Sequence, residues 1–200
     1  MARAMTQAAD VLTADEYLEH ERQRDAKHEL VHGVAVAMAG GTPRHDAIAG
    51  NVIVALGQRL RGQCLVFPSD QRVHVETTGL FTYPDVTVVC GRPRFHPNGR
   101  DTLVNPRVLV EVLSSSTEAY DRGAKLAHYQ SIASLEEYVL VTQTAKRGEH
   151  YRRLETGQWL LSVSEGDDAL LVLPGLGCEI PLVEIYAGTE LLDEVADEAL

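Results

Sequence analysis

The sequence predicts a mixed α/β fold, of the α+β kind, in which a mixed sheet is flanked by helices and followed by extra C-terminal strands. Two patterns predict it. Short apolar runs such as "RVLVEVL" and "PDVTVVC" read as buried strands, and apolar residues recur at helical spacing (Ile48, Val52, Leu56, Leu60) in one long segment. At 200 residues and 44% hydrophobic content, the chain suits one domain over 1–200 with a substantial core.

Taken in order, "TADEYLEHERQR" offers Thr13 as an N-cap with Glu16 at capping-box spacing, so a short charged helix begins there. "HELVHGVAVAMA" reads as two strands turning near His32 and Gly33. "GGTPRHDAIAGNVIVALGQRLRG" is a helix bounded by Gly and Pro before it and Gly62 after it. Strands follow at "CLVF", "QRVHVE", "PDVTVVC" and "RVLVEVL", the last two separated by a loop over residues 91–107. "DRGAKLAHYQSIA" is a helix with Leu126, Tyr129 and Ala133 as its stripe. Strands near "EEYVLVT", "EHYRRLE", "QWLLSVS" and "ALLVL" come next, then a short element, "PLVEIYA". From about 187 an acidic tail is expected to fray.

The net charge of -11 argues against nucleic acid only until its location is considered. From Leu154 to Leu200 there are eleven acids and no Lys or Arg, so the 18 basic residues before Leu154 meet the remaining 18 acids. A neutral body carries an acidic C-terminal section. No apolar run is long enough to span a membrane and "MARAMTQAAD" lacks a signal-peptide core, so a cytoplasmic protein without membrane partners is expected. Cys64, Cys90 and Cys178 show no zinc spacing and are expected to be buried, reduced thiols.

One residue breaks the pattern. Glu111 lies inside "RVLVEVL", on the face with Leu109 and Leu113, opposite Val108, Val110 and Val112. A buried carboxylate needs a partner, a proton or a metal. Asp85, opening the strand "PDVTVVC", is the first candidate companion. Lys125, 14 residues beyond Glu111 and on a helix returning over the strand, is the second. Two carboxylates hold a hard cation such as Mg²⁺ or Mn²⁺, and an amine stabilises or deprotonates an attacking water, a set suited to phosphodiester hydrolysis. Alternatively, Glu111 forms a structural ion pair with Arg107 or Arg122, and Lys125 a helix-surface pair with Asp121.

The ordered set "HELVHG", "YPD", "VEVLS" and "DRGAKLAHY" resembles the PD-(D/E)XK nuclease superfamily and, more narrowly, the Uma family of small restriction-endonuclease-like bacterial proteins, from about Thr13 to about Tyr186. The resemblance implies a restriction-endonuclease-like core with the metal site at strand ends. It implies Asp85 and Glu111 as metal carboxylates, with the Val112 carbonyl as a further ligand, and Lys125 as the lysine. The superfamily's usual lysine would stand at position 113, which is Leu113 here. Glu29 matches the acid of the "ELxxG" strand and His45 a histidine opening the long helix; both join the expected catalytic set.

The reading is therefore an Mg²⁺- or Mn²⁺-dependent endonuclease acting on DNA, as a homodimer. The alternative is a non-catalytic nucleic-acid-binding or dimeric interaction module on the same scaffold. Arg92, Arg94, Arg100 and Arg107, in the loop over 91–107, are the expected phosphate contacts.

Overall fold

The computed structural model describes residues 11–192; "MARAMTQAAD" and the end of the acidic tail lie outside the described residues. The first helix, α1 (Ala14–Glu21), begins with the anticipated capping box between Thr13 and Glu16. Strands β1 (His28–Val31) and β2 (Val34–Ala37) form a tight hairpin, with His32 (φ 50°) and Gly33 (φ 81°) in the left-handed conformations that two-residue turns require. At Gly33 a Cβ would fall 2.5 Å from Val11 Cγ1, so the position also has no room for a side chain.

Helix α2 (Pro43–Arg59) starts at the Thr42 cap with proline at its first position, where a missing N–H costs nothing. Its stripe Ile48, Val52, Leu56 and Leu60 is fully buried. Strand β3 (Cys64–Pro68) follows, then β4 (Arg72–Val75), β5 (Leu80–Thr82) and β6 (Val86–Cys90). The segment read as a loop instead contains a hairpin, β7 (Phe95–His96) and β8 (Gly99–Leu103). Pro97-Asn98-Gly99 is a turn signal for it, but the flanking polar side chains and the two-residue length of β7 mask the strands themselves. Thr102 and Leu103 anchor it in the interior, and β8 runs parallel to β4.

Strand β9 (Val108–Val112) is buried along its whole length. It pairs antiparallel with β6 and parallel with β10 (Glu137–Val141). Parallel neighbours cannot be joined by a hairpin, so the chain must cross over one face of the sheet. That crossover is helical: α3 (Glu118–Tyr120), a π-helical turn over Asp121–Lys125, and α4 (Leu126–Gln130). After α4 the chain tightens through a bond from Ile132 N–H to Tyr129 O at 3.0 Å, which brings Ile132 inward in place of the expected Ala133. Strands β11 (Arg147–Arg153) and β12 (Trp159–Glu165) extend the sheet to the order β12-β11-β10-β9-β6-β3.

The other strands up to β8 form a second sheet, β2-β1-β5-β4-β8-β7, and β13 (Leu170–Leu173) with β14 (Cys178–Pro181) forms a small ribbon leading into α5 (Leu182–Ile185). The central sheet is covered on both faces. Val86, Val88, Val108, Val110 and Val112 pack against α2, the ribbon and α5. Leu109 and Leu113 pack against Tyr129, Leu135 and Tyr138, together with Val73, Val75 and Leu80 of the second sheet. The acidic C-terminal section thus supplies Leu171, Leu173, Ile180 and Leu182 to the core.

Cys64 and Cys90 are not free thiols. They are directly opposed in the β3–β6 register and joined by a disulfide, a proximity that sequence spacing alone does not reveal; Cys178 carries a free, half-buried thiol. Among the described residues, no helix is long and apolar enough to cross a membrane.

Ile48 meets the valine face of β6 and β9 with no exposed surface. Ile48→Ala is expected to lower the unfolding free energy by about 2–5 kcal/mol in chemical denaturation, through reduced burial and the cavity left behind.

Candidate active site

Strand alternation turns Glu111 toward the face that the crossover covers, and the π-helical turn sets what meets it there. A π turn is wider than an α turn and is often found at functional sites. Here it turns both Asp121 and Lys125 inward, at 3% and 5% exposure. Lys125 Nζ lies 2.8 Å from Glu111 Oε1, 3.3 Å from Glu29 Oε1 and 3.5 Å from Asp121 Oδ1. One helical turn on, Tyr129 donates its hydroxyl to Glu111 Oε1 at 2.7 Å. Glu29 arrives from β1 of the second sheet and accepts a short hydrogen bond from the Thr82 hydroxyl at the end of β5.

Asp85 and His45 approach from the α2 side. The β6–β9 pairing of Val86 with Val110 places Asp85, just ahead of β6, beside Glu111. Asp85 Oδ2 accepts the Val112 N–H at 2.7 Å and lies 3.1 Å from His45 Nε2. His45 is fixed in turn by the cap, its N–H donating to Thr42 Oγ1 at 3.1 Å. The site is open at this side: Asp85 and His45 side chains keep 13% and 16% exposure, whereas those of Glu111 and Lys125 keep 6% each.

The electrostatics follow from burial. Desolvation pushes the Glu111 carboxyl up to about 8, against the pull of Lys125, with Asp85 and Asp121 adding to the rise. Lys125 is driven well above the ordinary lysine value, because the attraction of Glu111, Glu29 and Asp121 exceeds its own desolvation penalty. The hydrogen bond to Asp85 raises His45 to about 9 despite partial burial, so it is an imidazolium at neutral pH. Four carboxyl groups (Glu29, Asp85, Glu111, Asp121) face two cationic groups, and burial biases Glu111 toward its protonated form.

Among the described residues, no three His, Cys, Asp or Glu side chains are gathered so as to hold a metal ion by themselves. Two carboxylates completed by waters and substrate oxygens are nevertheless the donor set that Mg²⁺ favours. Asp85 and Glu111, hard oxygen donors in a cluster short of positive charge, fit it.

All five residues singled out in the sequence, Glu29, His45, Asp85, Glu111 and Lys125, meet at one end of the central sheet. The ion-pair alternative for Glu111 does not occur: Arg107 pairs with Glu136, and Arg122 with Glu118 and Glu149. Arg100 lies in β8, which pairs with β4 of the second sheet, and Arg92, Arg94 and Arg107 are not near the cluster along the strands. They follow the end of β6 and precede β9, whereas Asp85 precedes β6 and Glu111 lies toward the end of β9. Five residues of strand, about 17 Å at about 3.4 Å each, separate the two ends.

Sequence reasoning missed Thr82 and Gln143 and gave Asp121 and Tyr129 only bland roles. Gln143 Nε2 donates to Leu113 O, and its Oε1 accepts from Thr42 Oγ1, both at 2.7 Å, tying the end of β9 to the start of α2. For Asp121 and Tyr129 the usable signal was the i, i+4 spacing of each from Lys125; Thr82 and Gln143 carried none.

Residues 14–183 match the model of a family, Uma2, described as "Putative restriction endonuclease". Two proteins of Synechocystis sp. are similar over most of their length. The "Uncharacterized protein sll1609" is 34% identical over 163 residues, covering 80% of this chain and 90% of that one. The "Uncharacterized protein slr1290" is 34% identical over 178 residues, covering 88% and 92%. A crystal structure described as "a putative nuclease belonging to DUF820 from Anabaena variabilis" shares the fold, with a TM-score of 0.70 and 18% identity over 88% of this chain and 98% of that one.

Removing the amine while keeping its volume would leave Glu29, Glu111 and Asp121 facing one another in a dry interior. Lys125→Met is expected to cost about 3–5 kcal/mol of stability at neutral pH, measured by denaturant unfolding. A cost no larger than that of the surface change Lys146→Met would show that Lys125 does not hold the cluster together.

Proposed function

The chain belongs to the Uma2 family, and we propose that it is an endonuclease that hydrolyses phosphodiester bonds in DNA with Mg²⁺ or Mn²⁺. The observation that carries this reading is Glu111, a buried carboxyl group near the end of β9, bonded to Lys125 at 2.8 Å with Asp85 beside it at the open end of the sheet. The fold shared with the DUF820 structure supports it.

Asp85 and Glu111 are the residues that would hold the cation. When bound, the cation lowers the pKa of water and offsets charge on the phosphate. The chain's own groups do the positioning. The Val112 N–H and His45 fix the Asp85 carboxylate; Tyr129 and Lys125 fix that of Glu111. Lys125, held by three carboxylates rather than by solvent, is placed to orient the attacking water and to balance charge that grows on phosphorus oxygens. Lysine at position 113 is not needed for this, because the crossover delivers the amine to the same face of β9. A symmetric homodimer would present two such sites, one for each strand of a duplex.

Plasmid nicking with Mn²⁺ at low salt, read beside thermal unfolding, tests the reading. Mn²⁺ is expected to raise the wild-type melting temperature. Asp85→Asn, an isosteric change at a partly exposed position, is expected to abolish that rise and to lower nicking by about 100-fold or more. Equal metal stabilisation of both proteins places the cation elsewhere. A folded wild type that shows neither stabilisation nor nicking is a non-catalytic module on this scaffold.

A further inference from the structure

Beside the open edge of the site lies a cavity of about 500 Å³, between the start of α2, the β10–β11 loop and the segment after α5. Its position follows from the sheet. Val141, the last residue of β10, pairs with Val112, so the loop after β10 emerges at the same end as Asp85 and Glu111. Gln143 on the cavity wall is bonded to Leu113 and to Thr42, and Arg44, also on the wall, directly precedes His45. Tyr186 pins the loop in place: its hydroxyl donates to the carbonyl of Thr142 or Arg147 and accepts the Arg147 N–H.

The lining mixes polar and apolar groups and contains two cations, Arg44 and Lys146. Arg44 donates to Thr189 O at 3.2 Å, and Lys146 pairs with Asp167 across a solvent-exposed gap. An exposed pair of this kind contributes little stability, so Lys146 can exchange Asp167 for another anion at small cost. Thr144 adds a hydroxyl. Among the described residues, Glu190 is the one carboxylate in the lining and opposes an anionic occupant. Asp85 and His45 are the more exposed members of the site, and they face the α2 side where this cavity lies, so a substrate reaching the carboxylates passes next to it.

We propose that this cavity is the subsite for the DNA backbone flanking the scissile phosphate, with Arg44 and Lys146 contacting phosphates and Gln143 and Thr144 donating to phosphate or sugar oxygens. The inference rests on the nuclease reading and gives it a direction: the backbone runs over the start of α2 and the β10–β11 loop, not over Arg92, Arg94 and Arg107 at the far end of β6 and β9. Such contacts position the duplex without reading its sequence.

The experiment is fluorescence anisotropy of a short labelled DNA duplex with the full chain in EDTA, where hydrolysis is prevented, titrated with salt. Arg44→Ala and Lys146→Ala are each expected to weaken binding by about tenfold, the scale of one charge-assisted hydrogen bond, and each to reduce the salt slope by about 0.9, the value for one phosphate left unneutralised. Glu190→Gln is expected to tighten binding. If wild type binds but the Arg92→Ala, Arg94→Ala, Arg100→Ala triple variant loses more affinity than Arg44→Ala with Lys146→Ala, the subsite is overturned while the nuclease reading stands. If wild type binds and Glu190→Gln, Arg44→Ala and Lys146→Ala all leave affinity unaltered, the subsite is likewise overturned. A folded wild type that binds no duplex at low salt, in EDTA or with non-catalytic Ca²⁺ in its place, overturns the subsite, while the Mn²⁺ nicking assay decides the nuclease reading separately.

Discussion

The ammonium of Lys125 lies among the carboxylates of Glu111, Glu29 and Asp121, and the surrounding architecture can be understood as the means of bringing those four groups together. A dry carboxylate is costly, and three are tolerable only around a cation, with hydrogen bonds such as those from Tyr129 and Thr82 to share the load. The four come from three places: Glu29 from β1 of the second sheet, Glu111 from the middle sheet strand β9, and Asp121 and Lys125 from the crossover between the two parallel strands. The second sheet is therefore more than a cover for the apolar face of β9; it delivers Glu29.

Much of this was legible because Glu111 contradicts its surroundings. In a strand of Val and Leu, a single carboxylate demands company, and only residues whose elements return to that face can supply it. The long helix, the first hairpin and the capping box were equally readable, since each has a local cause: a 3.6-residue stripe, a left-handed turn, and a Thr–Glu pair at the right spacing. What was not readable depended on contacts across the chain. The Cys64–Cys90 bond requires the β3–β6 register. The hairpin within 91–107 is held by the burial of Thr102 and Leu103 against a distant strand rather than by its own pattern. The π turn leaves no mark on "DRGAKLAHYQ", whose spacing fits an ordinary helix equally well, and Gln143 reads as an unremarkable loop residue.

The same limit explains the arginines. Charge in a sequence has a position along the chain but no end of the sheet. A segment joining two strands that both carry site residues looks adjacent to the site, yet antiparallel geometry puts it at the opposite end when the residues lie at the start of one strand and the finish of the next. Arg44 and Lys146, in contrast, come from elements far apart in sequence and share a wall because α2 begins beside the β10–β11 loop.

The wide sequence separation of the cluster also sets the order in which it can assemble. Glu29 and Glu111 are 82 residues apart, and Lys125 follows only after the crossover has begun. Until β9 and β10 align in parallel, these side chains are hydrated and their charges screened, so they give the growing chain no early attraction. Contacts between remote segments form late, since loop-closure entropy opposes them. The charged centre is thus a late latch: local pieces such as α2 and the first hairpin can collapse without it, and water leaves the carboxylates only when the lysine is in place.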